Sequence, residues 1–126
     1  MALRILTEAS GSLTAGYLIN SIKKSGYSAV ASDIEETSVG RYLADDFILM
    51  PVADDVQLWE KTIELIKEKK IDVVIPSLDE TLLGWAERKH ELARQGIVVI
   101  VSNPETIKIC QDKWLTYEFF RKNNIP

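Results

Sequence analysis

The sequence is short of the residue types that build metal centres and covalent-catalysis sites. It has one cysteine, Cys110, and one histidine, His90. No internal disulfide can form, and no Cys/His metal cluster can be assembled. A single cysteine fits a reducing compartment, and beside Ile109 it reads as buried filler. His90 lies within Glu87-Arg-Lys-His-Glu91, with no nucleophile near it for a triad, and is expected to face solvent. Basic residues are outnumbered 15 to 19, which leaves a net charge of −4. A phosphate backbone demands the opposite balance, so nucleic acid is not an expected partner. No apolar run approaches the roughly 18 residues of a membrane span. The start passes from one charge, Arg4, straight into strand-like residues, unlike a signal peptide. These absences point to a cytoplasmic chain with no membrane partner.

What remains is enough for a core. Hydrophobic residues make up 46% of the 126 and charged ones 27%, the balance of one ordinary globular domain. Short apolar or β-branched runs at 3–6, 29–31, 47–50, 73–75 and 97–101 are too short for helices, and turn formers bound most of them. Several are apolar at consecutive positions, as expected of parallel strands covered on both faces.

Helical spacing separates the runs. Ala15, Leu18, Ile19 and Ile22 share a face, with Gly26 placed for a left-handed cap. Asp54 or Asp55 is placed to cap a second helix carrying Trp59, Thr62, Ile63 and Ile66. Asp79 and Glu80 open a third, with Leu82, Ala86 and Ala93 inward and Gly96 closing it. Ser102-Asn-Pro-Glu105 supplies a cap, a first-turn proline and a capping-box acid. Residues 38–44 are expected to form a short helix. The pattern predicts an α/β fold: a Rossmann-like open parallel five-stranded sheet with helices on both faces.

In such sheets ligands gather beyond the carboxyl ends of the strands. The first of these loops, Thr7-Glu-Ala-Ser-Gly-Ser12, is small and polar, which makes Ser10 and Gly11 candidates for backbone approach to a ligand. The dinucleotide fingerprint G-x-G-x-x-G is absent, because Leu13 stands two residues after Gly11. Gly11 and Gly16 have the P-loop gap, but Tyr17 and Leu18 replace the lysine and the hydroxyl. Asp33, at the end of the second strand, is positionally a ribose acid and reads as a solvated loop aspartate without those glycines. After the fourth strand, Ile75-Pro-Ser-Leu-Asp-Glu-Thr81 gathers two carboxylates at a strand-to-helix junction. Helix capping accounts for them; in a functional reading, Asp79 or Glu80 holds a cationic group such as a substrate amine. A phospho-receiver domain is excluded, since no acceptor aspartate follows the third strand and no lysine the fifth. Trp59, Trp85 and Trp114 read as packing residues, and Lys67–Lys70 as a solvated helix face.

Ser102-Asn-Pro-Glu-Thr-Ile107 leads through Cys110 to Asp112-Lys113, then to a helical segment ending Asn124-Ile-Pro126. This resembles the junction in ATP-grasp proteins, where a short helix precedes Asp-Lys and a helix ending in an Asn-Ile-Pro turn. Asp45, Pro51, Ile71-Asp72, Ile75-Pro76 and Asp79-Glu80 also fall where similar proteins carry such residues. The chain is similar over its whole length to the front domain, called pre-ATP-grasp or biotin-carboxylase N-terminal-like, of the carbamoyl phosphate synthase large-subunit-like group.

The resemblance implies a front domain at 1–111 and a connecting helix at 112–126, leading into two ATP-grasp lobes that clamp ATP and magnesium. It implies an ATP-dependent carboxylate-amine ligase that works through an acyl phosphate, with a natural chain continuing roughly 200 residues past Pro126. Within these residues it implies a share of the site for a small carboxylate or amine substrate, at Ser10, Gly11, Asp79 and Glu80, with no catalytic, cofactor or metal ligands. Asp112 and Lys113 would be structural. The partners implied are the ATP-grasp lobes of the parent chain, and a homodimer is compatible with it. Two other classes fit the residues: a stand-alone Rossmann-like nucleotide- or metabolite-binding module, and a protein-docking module using Trp114, Phe119 and Phe120.

Overall fold

In the computed structural model, which describes residues 2–126, β1 (Arg4–Thr7) takes the middle of a five-stranded sheet. It is flanked by β2 (Ser28–Asp33) and β3 (Asp46–Leu49) on one side, and by β4 (Val73–Ile75) and β5 (Val98–Val99) on the other. Every pairing is parallel; Leu6 stands opposite both Val30 and Val74. The chain therefore winds outward from β1 to β3, crosses back, and winds outward again. That reversal leaves a crevice at the carboxyl ends of β1 and β4.

Consecutive apolar residues in β1 feed two cores. Leu6 joins Val30, Ile48, Val74, Ile66, Trp85 and Leu92 beneath α3 (Leu58–Glu68) and α4 (Asp79–Arg94). Ile5 joins Ile19, Ile22, Ala29 and Ala31 beneath α1 (Ala15–Lys24). The short α2 (Gly40–Leu43) adjoins α1, while α5 (Pro104–Gln111) packs on α4 and precedes α6 (Lys113–Lys122). Gly26 and Gly96 end α1 and α4 at φ +82° and +84°, a region costly for any residue with a Cβ. Among the described residues no helix is long and apolar enough to cross a membrane.

Several local expectations change. The 97–101 run pairs only over Val98–Val99 because it is the sheet edge, with Val98 and Ile100 more than half exposed. Neither Asp54 nor Asp55 caps α3, which starts at Leu58; the Asp55 carboxylate instead accepts from the Gln57 N–H (2.8 Å) and Lys61 Nζ (2.6 Å) in a turn before the helix. On α4 the inward stripe runs through Trp85, Ala86 and Leu92, so Leu82 is half-buried and Ala93 exposed. Pro104 opens α5 as expected, but no side chain caps it. Cys110 is exposed rather than buried filler, because Ile107 and Gln111 face α4 instead: Gln111 Nε2 donates to the Asp79 carbonyl at 2.7 Å. His90 is exposed. Asp112 caps α6, accepting from the N–H groups of Trp114 and Leu115.

The amino ends of the strands are clamped ionically. Arg4 Nη2 donates to Asp46 Oδ2 at 2.7 Å and Lys69 Nζ to Asp46 Oδ1 at 3.0 Å, while Arg4 Nε donates to the Lys69 carbonyl. Partial burial pushes the Asp46 carboxyl up, but Lys69, the Phe47 N–H and Arg4 more than offset it, holding it below its ordinary 3.8. A depressed carboxyl contributes stability above its unfolded value and loses it as pH falls through the folded one. Urea unfolding between about pH 4 and pH 2 should show a loss of stability that Asp46→Asn reduces; identical pH slopes in the two proteins would contradict this role.

Candidate functional site

The crevice is built around a residue that sequence reasoning passed over. Glu8 follows β1 directly and, two residues after Leu6, points to the same covered face. It is 6% exposed, yet among the described residues no cation touches it. Trp85 Nε1 donates to Oε1 at 2.9 Å, the Thr81 hydroxyl lies 3.0 and 3.1 Å from the two carboxyl oxygens, and the Ser77 N–H approaches Oε2 at 3.3 Å. Ser77 Oγ also donates to the Glu8 carbonyl at 2.9 Å. One side chain thus ties the end of β1 to the β4–α4 loop and to two turns of α4. Burial pushes its carboxyl above the ordinary 4.5, and the donors from Trp85, Thr81, Ser77 and Leu78 only partly offset that rise.

Beside Glu8 lies a cavity of about 290 Å³. Its walls are mostly apolar, formed by Ile34, Met50, Pro51, Leu58, Trp59 and Leu78. Trp59 meets Trp85 edge-on at 5.1 Å, and the Arg88 guanidinium lies 4.4 Å from a Trp59 ring centre. A Cβ on Gly84 would collide with the Trp59 ring, so only glycine lets that wall stand where it does. Three carboxylates line the space, Glu8, Asp33 and Glu80, with no Lys, Arg or His among the described lining residues. Asp33 is occupied by two backbone donors, Gly11 N–H at 2.8 Å and Glu35 N–H at 3.1 Å. Among the described residues no group of three His, Cys, Asp or Glu side chains is placed to hold a metal ion.

The residues singled out from sequence divide. Glu80 is exposed and lines the cavity; Asp79 is exposed beside it and offers its carbonyl to Gln111. Ser10 is buried and does not reach the cavity. Its Oγ meets Ser38 Oγ at 2.8 Å, its N–H donates to the Ser32 carbonyl, and Gly40 packs so closely that a Cβ there would strike it. Gly11 presents its N–H to Asp33 rather than to open space. The chain turns sharply ahead of them at Ala9, held at φ +48°, an unusual conformation for a residue with a Cβ. A signal for Glu8 was present in sequence: an acid directly after a central strand, in phase with a buried leucine.

Glu8→Ala removes the partner of Trp85 Nε1 and should destabilise the fold by about 1–3 kcal/mol, the cost of an orphaned buried donor. Glu8→Gln should be tolerated better than Glu8→Ala, because its carbonyl can accept from Trp85 and its amide can donate to Thr81, although the Ser77 N–H loses its acceptor. The raised carboxyl gives the opposite sign to Asp46: its contribution is present below 4.5 and is lost as pH rises through the folded value. Glu8→Gln should therefore gain stability relative to the parent as pH rises, in denaturant unfolding from about pH 4 to pH 8. A constant difference across that range would show that Glu8 keeps an ordinary titration.

Comparison with known proteins agrees with this architecture. The family described as PylC-like, N-terminal domain, matches residues 6–100, from inside β1 to just past β5. The carbamoyl-phosphate synthase of Methanobrevibacter smithii is 24% identical over 108 residues, covering 83% of this chain and 28% of that protein. The structure of N5-carboxyaminoimidazole ribonucleotide synthetase from Thermotoga maritima matches the whole chain at a TM-score of 0.70 and 25% identity, over 32% of its own length. The biotin carboxylase domain of Hydrogenobacter thermophilus 2-oxoglutarate carboxylase, a dimer solved with MgADP and bicarbonate, shares the fold at a TM-score of 0.72 and 20% identity, over 28% of its length. The chain thus spans about a third or less of these relatives, and in them its counterpart is one part of a larger ligase or carboxylase. With β2 to β5, the end of β1 and the crevice inside the matched span, the chain belongs to the PylC-like N-terminal domain family, the front-domain fold of ATP-grasp proteins.

Proposed function

We propose that this chain serves as the front domain of an ATP-dependent carboxylate-amine ligase, supplying part of the acceptor site and an interdomain surface but not catalysing alone. The observation that carries the reading is the cavity at the strand-order reversal, apolar in its walls and bearing Glu8, Asp33 and Glu80 with no base among its described lining. Such a lining attracts an ammonium group and repels phosphate. A nucleotide polyphosphate does not fit it, which favours the ligase reading over a stand-alone nucleotide-binding module. In the proposed enzyme, ATP and magnesium are held by ATP-grasp lobes, and the acceptor amine is presented from this crevice toward the acyl phosphate formed there. Trp114, Phe119 and Phe120 are 64%, 42% and 42% exposed on α6, apolar area suited to covering by those lobes. A homodimer and a cytoplasmic location belong to the same reading.

In the full-length enzyme, Glu80→Gln should raise the acceptor KM by about tenfold, the order of one charge-assisted hydrogen bond, and leave the ATP KM unchanged. Asp79→Asn should do less, since Asp79 stands beside the cavity rather than in its lining. Unchanged acceptor kinetics in both variants would refute the acceptor-site assignment. Micromolar ATP binding by residues 1–126 alone, measured by calorimetry, would favour the metabolite-binding module instead.

A further inference from the structure

Thr81 has one hydroxyl proton and too many acceptors. Its Oγ1 lies 3.1 Å from the Leu78 carbonyl and 3.0 and 3.1 Å from the two Glu8 oxygens. If Glu8 is ionised, the Thr81 proton serves either the carboxylate or the Leu78 carbonyl, and one contact becomes acceptor against acceptor. If Glu8 carries a proton, the chain closes: Glu8 O–H donates to Thr81 Oγ1, Thr81 O–H donates to the Leu78 carbonyl, and Trp85 Nε1 donates to the remaining carboxyl oxygen. Only the neutral acid satisfies all the contacts of the Thr81 hydroxyl; the Leu78 carbonyl also accepts from the Thr81 N–H at 3.1 Å and the Ser77 N–H approaches the carboxyl in either state.

The surroundings agree. Asp33 from β2 and Glu80 from α4 share the cavity, α3 contributes the uncharged Trp59 and Thr62, and Arg88 of α4 is engaged with the Trp59 ring. Asp33 accepts from two backbone N–H groups and Glu80 is exposed. Glu8 is 6% exposed and has no counter-charge among the described residues. A cation entering the cavity would supply what it lacks.

We propose that Glu8 is a proton-exchanging carboxyl that is neutral in the free crevice and ionises when a ligand's ammonium group enters, so the site takes up a cation and releases a proton. The exchange balances: carboxylic acid plus alkylammonium gives a carboxylate–ammonium pair plus one proton to solvent, with no net change in charge. It rests on the acceptor-site reading of this crevice and adds the residue that selects the ligand's charge. A neutral isostere can enter the apolar walls but displaces no proton. Glu8 is here a binding and selecting residue, and the exchange needs neither nucleotide nor turnover.

The test uses the full-length protein with butylammonium as the probe and butan-1-ol as its neutral counterpart. Calorimetric titrations in phosphate and in Tris should give different butylammonium heats, the difference corresponding to proton release, while butan-1-ol heats agree. Butylammonium affinity should rise with pH up to about tenfold per unit across the Glu8 titration. The ¹³C carboxyl resonance of Glu8, assigned by its loss in Glu8→Gln, should titrate above the other glutamates in the free protein and move down with saturating probe. Glu8→Gln, which keeps the Trp85 and Thr81 hydrogen bonds, should fold, bind the probe about tenfold more weakly and lose the buffer dependence. Equal heats in the two buffers, absence of butylammonium binding, or a Glu8 resonance already ionised across the range would each overturn the proposal. Normal acceptor kinetics in both Glu80→Gln and Asp79→Asn alongside an intact Glu8 exchange would instead remove the acceptor-site assignment and leave the exchange standing.

Discussion

A carboxyl without a counter-charge holds together the end of the sheet where a ligand would bind. Glu8 receives Trp85 Nε1, faces the Thr81 hydroxyl and fastens Ser77, so the crevice between β1 and β4 has its depth and shape because this one side chain is buried there. Burying an acid with hydrogen bonds alone is costlier than burying it with a cation. The fold accepts that cost at the switch point of the sheet, where backbone is already turned out toward ligand. Trp85 passes the constraint on: pinned by Glu8, it meets Trp59 edge-on, and Trp59 is the cavity wall that Gly84 makes room for.

The two ends of the same strands are held by opposite electrostatics. At the amino ends Arg4, Asp46 and Lys69 form a compensated cluster whose charges are partly wet and whose geometry binds β1, β3 and the α3–β4 connection. At the carboxyl ends the ionisable groups are acids with backbone or neutral donors. A compensated cluster needs no ligand and serves only the fold. An uncompensated one has electrostatic attraction left over, and it lies beside the described cavity that opens on the switch point. The division of labour within the sheet therefore follows from where cations are supplied and where they are withheld.

Much of this was legible before any coordinates. Five apolar runs alternating with helical spacing fixed the strand count and the parallel sheet, and Gly26 and Gly96 marked two helix ends correctly because positive φ leaves few alternatives. What sequence could not resolve depended on contacts between distant segments. Ser10 looked like a ligand-loop residue, but Gly40, thirty positions away, closes over it. Cys110 looked like core, but the rotation of α5 is set by Gln111 reaching Asp79. Glu8 was overlooked for the same reason: its phase with Leu6 was readable, but its meaning depends on Trp85, 77 residues later.

The electrostatics of the crevice also constrain any larger machine that contains it. Three acidic side chains and no described base disfavour a triphosphate whether or not Glu8 carries its proton, so a protein that couples this crevice to ATP must hold the nucleotide on other elements and bring the two together across the open mouth. Glu80 stands at that mouth on the first turn of α4. The same turn is tied through the Asp79 carbonyl to Gln111, the last residue of α5, immediately before the Asp112 cap that starts α6. The helix with the exposed Trp114, Phe119 and Phe120 is therefore joined to the crevice rim by one hydrogen bond and one residue of backbone. In the proposed ligase, whatever covers α6 would sense and set the position of Glu80, linking closure over the nucleotide to the shape of the acceptor site without a contact between the two ligands.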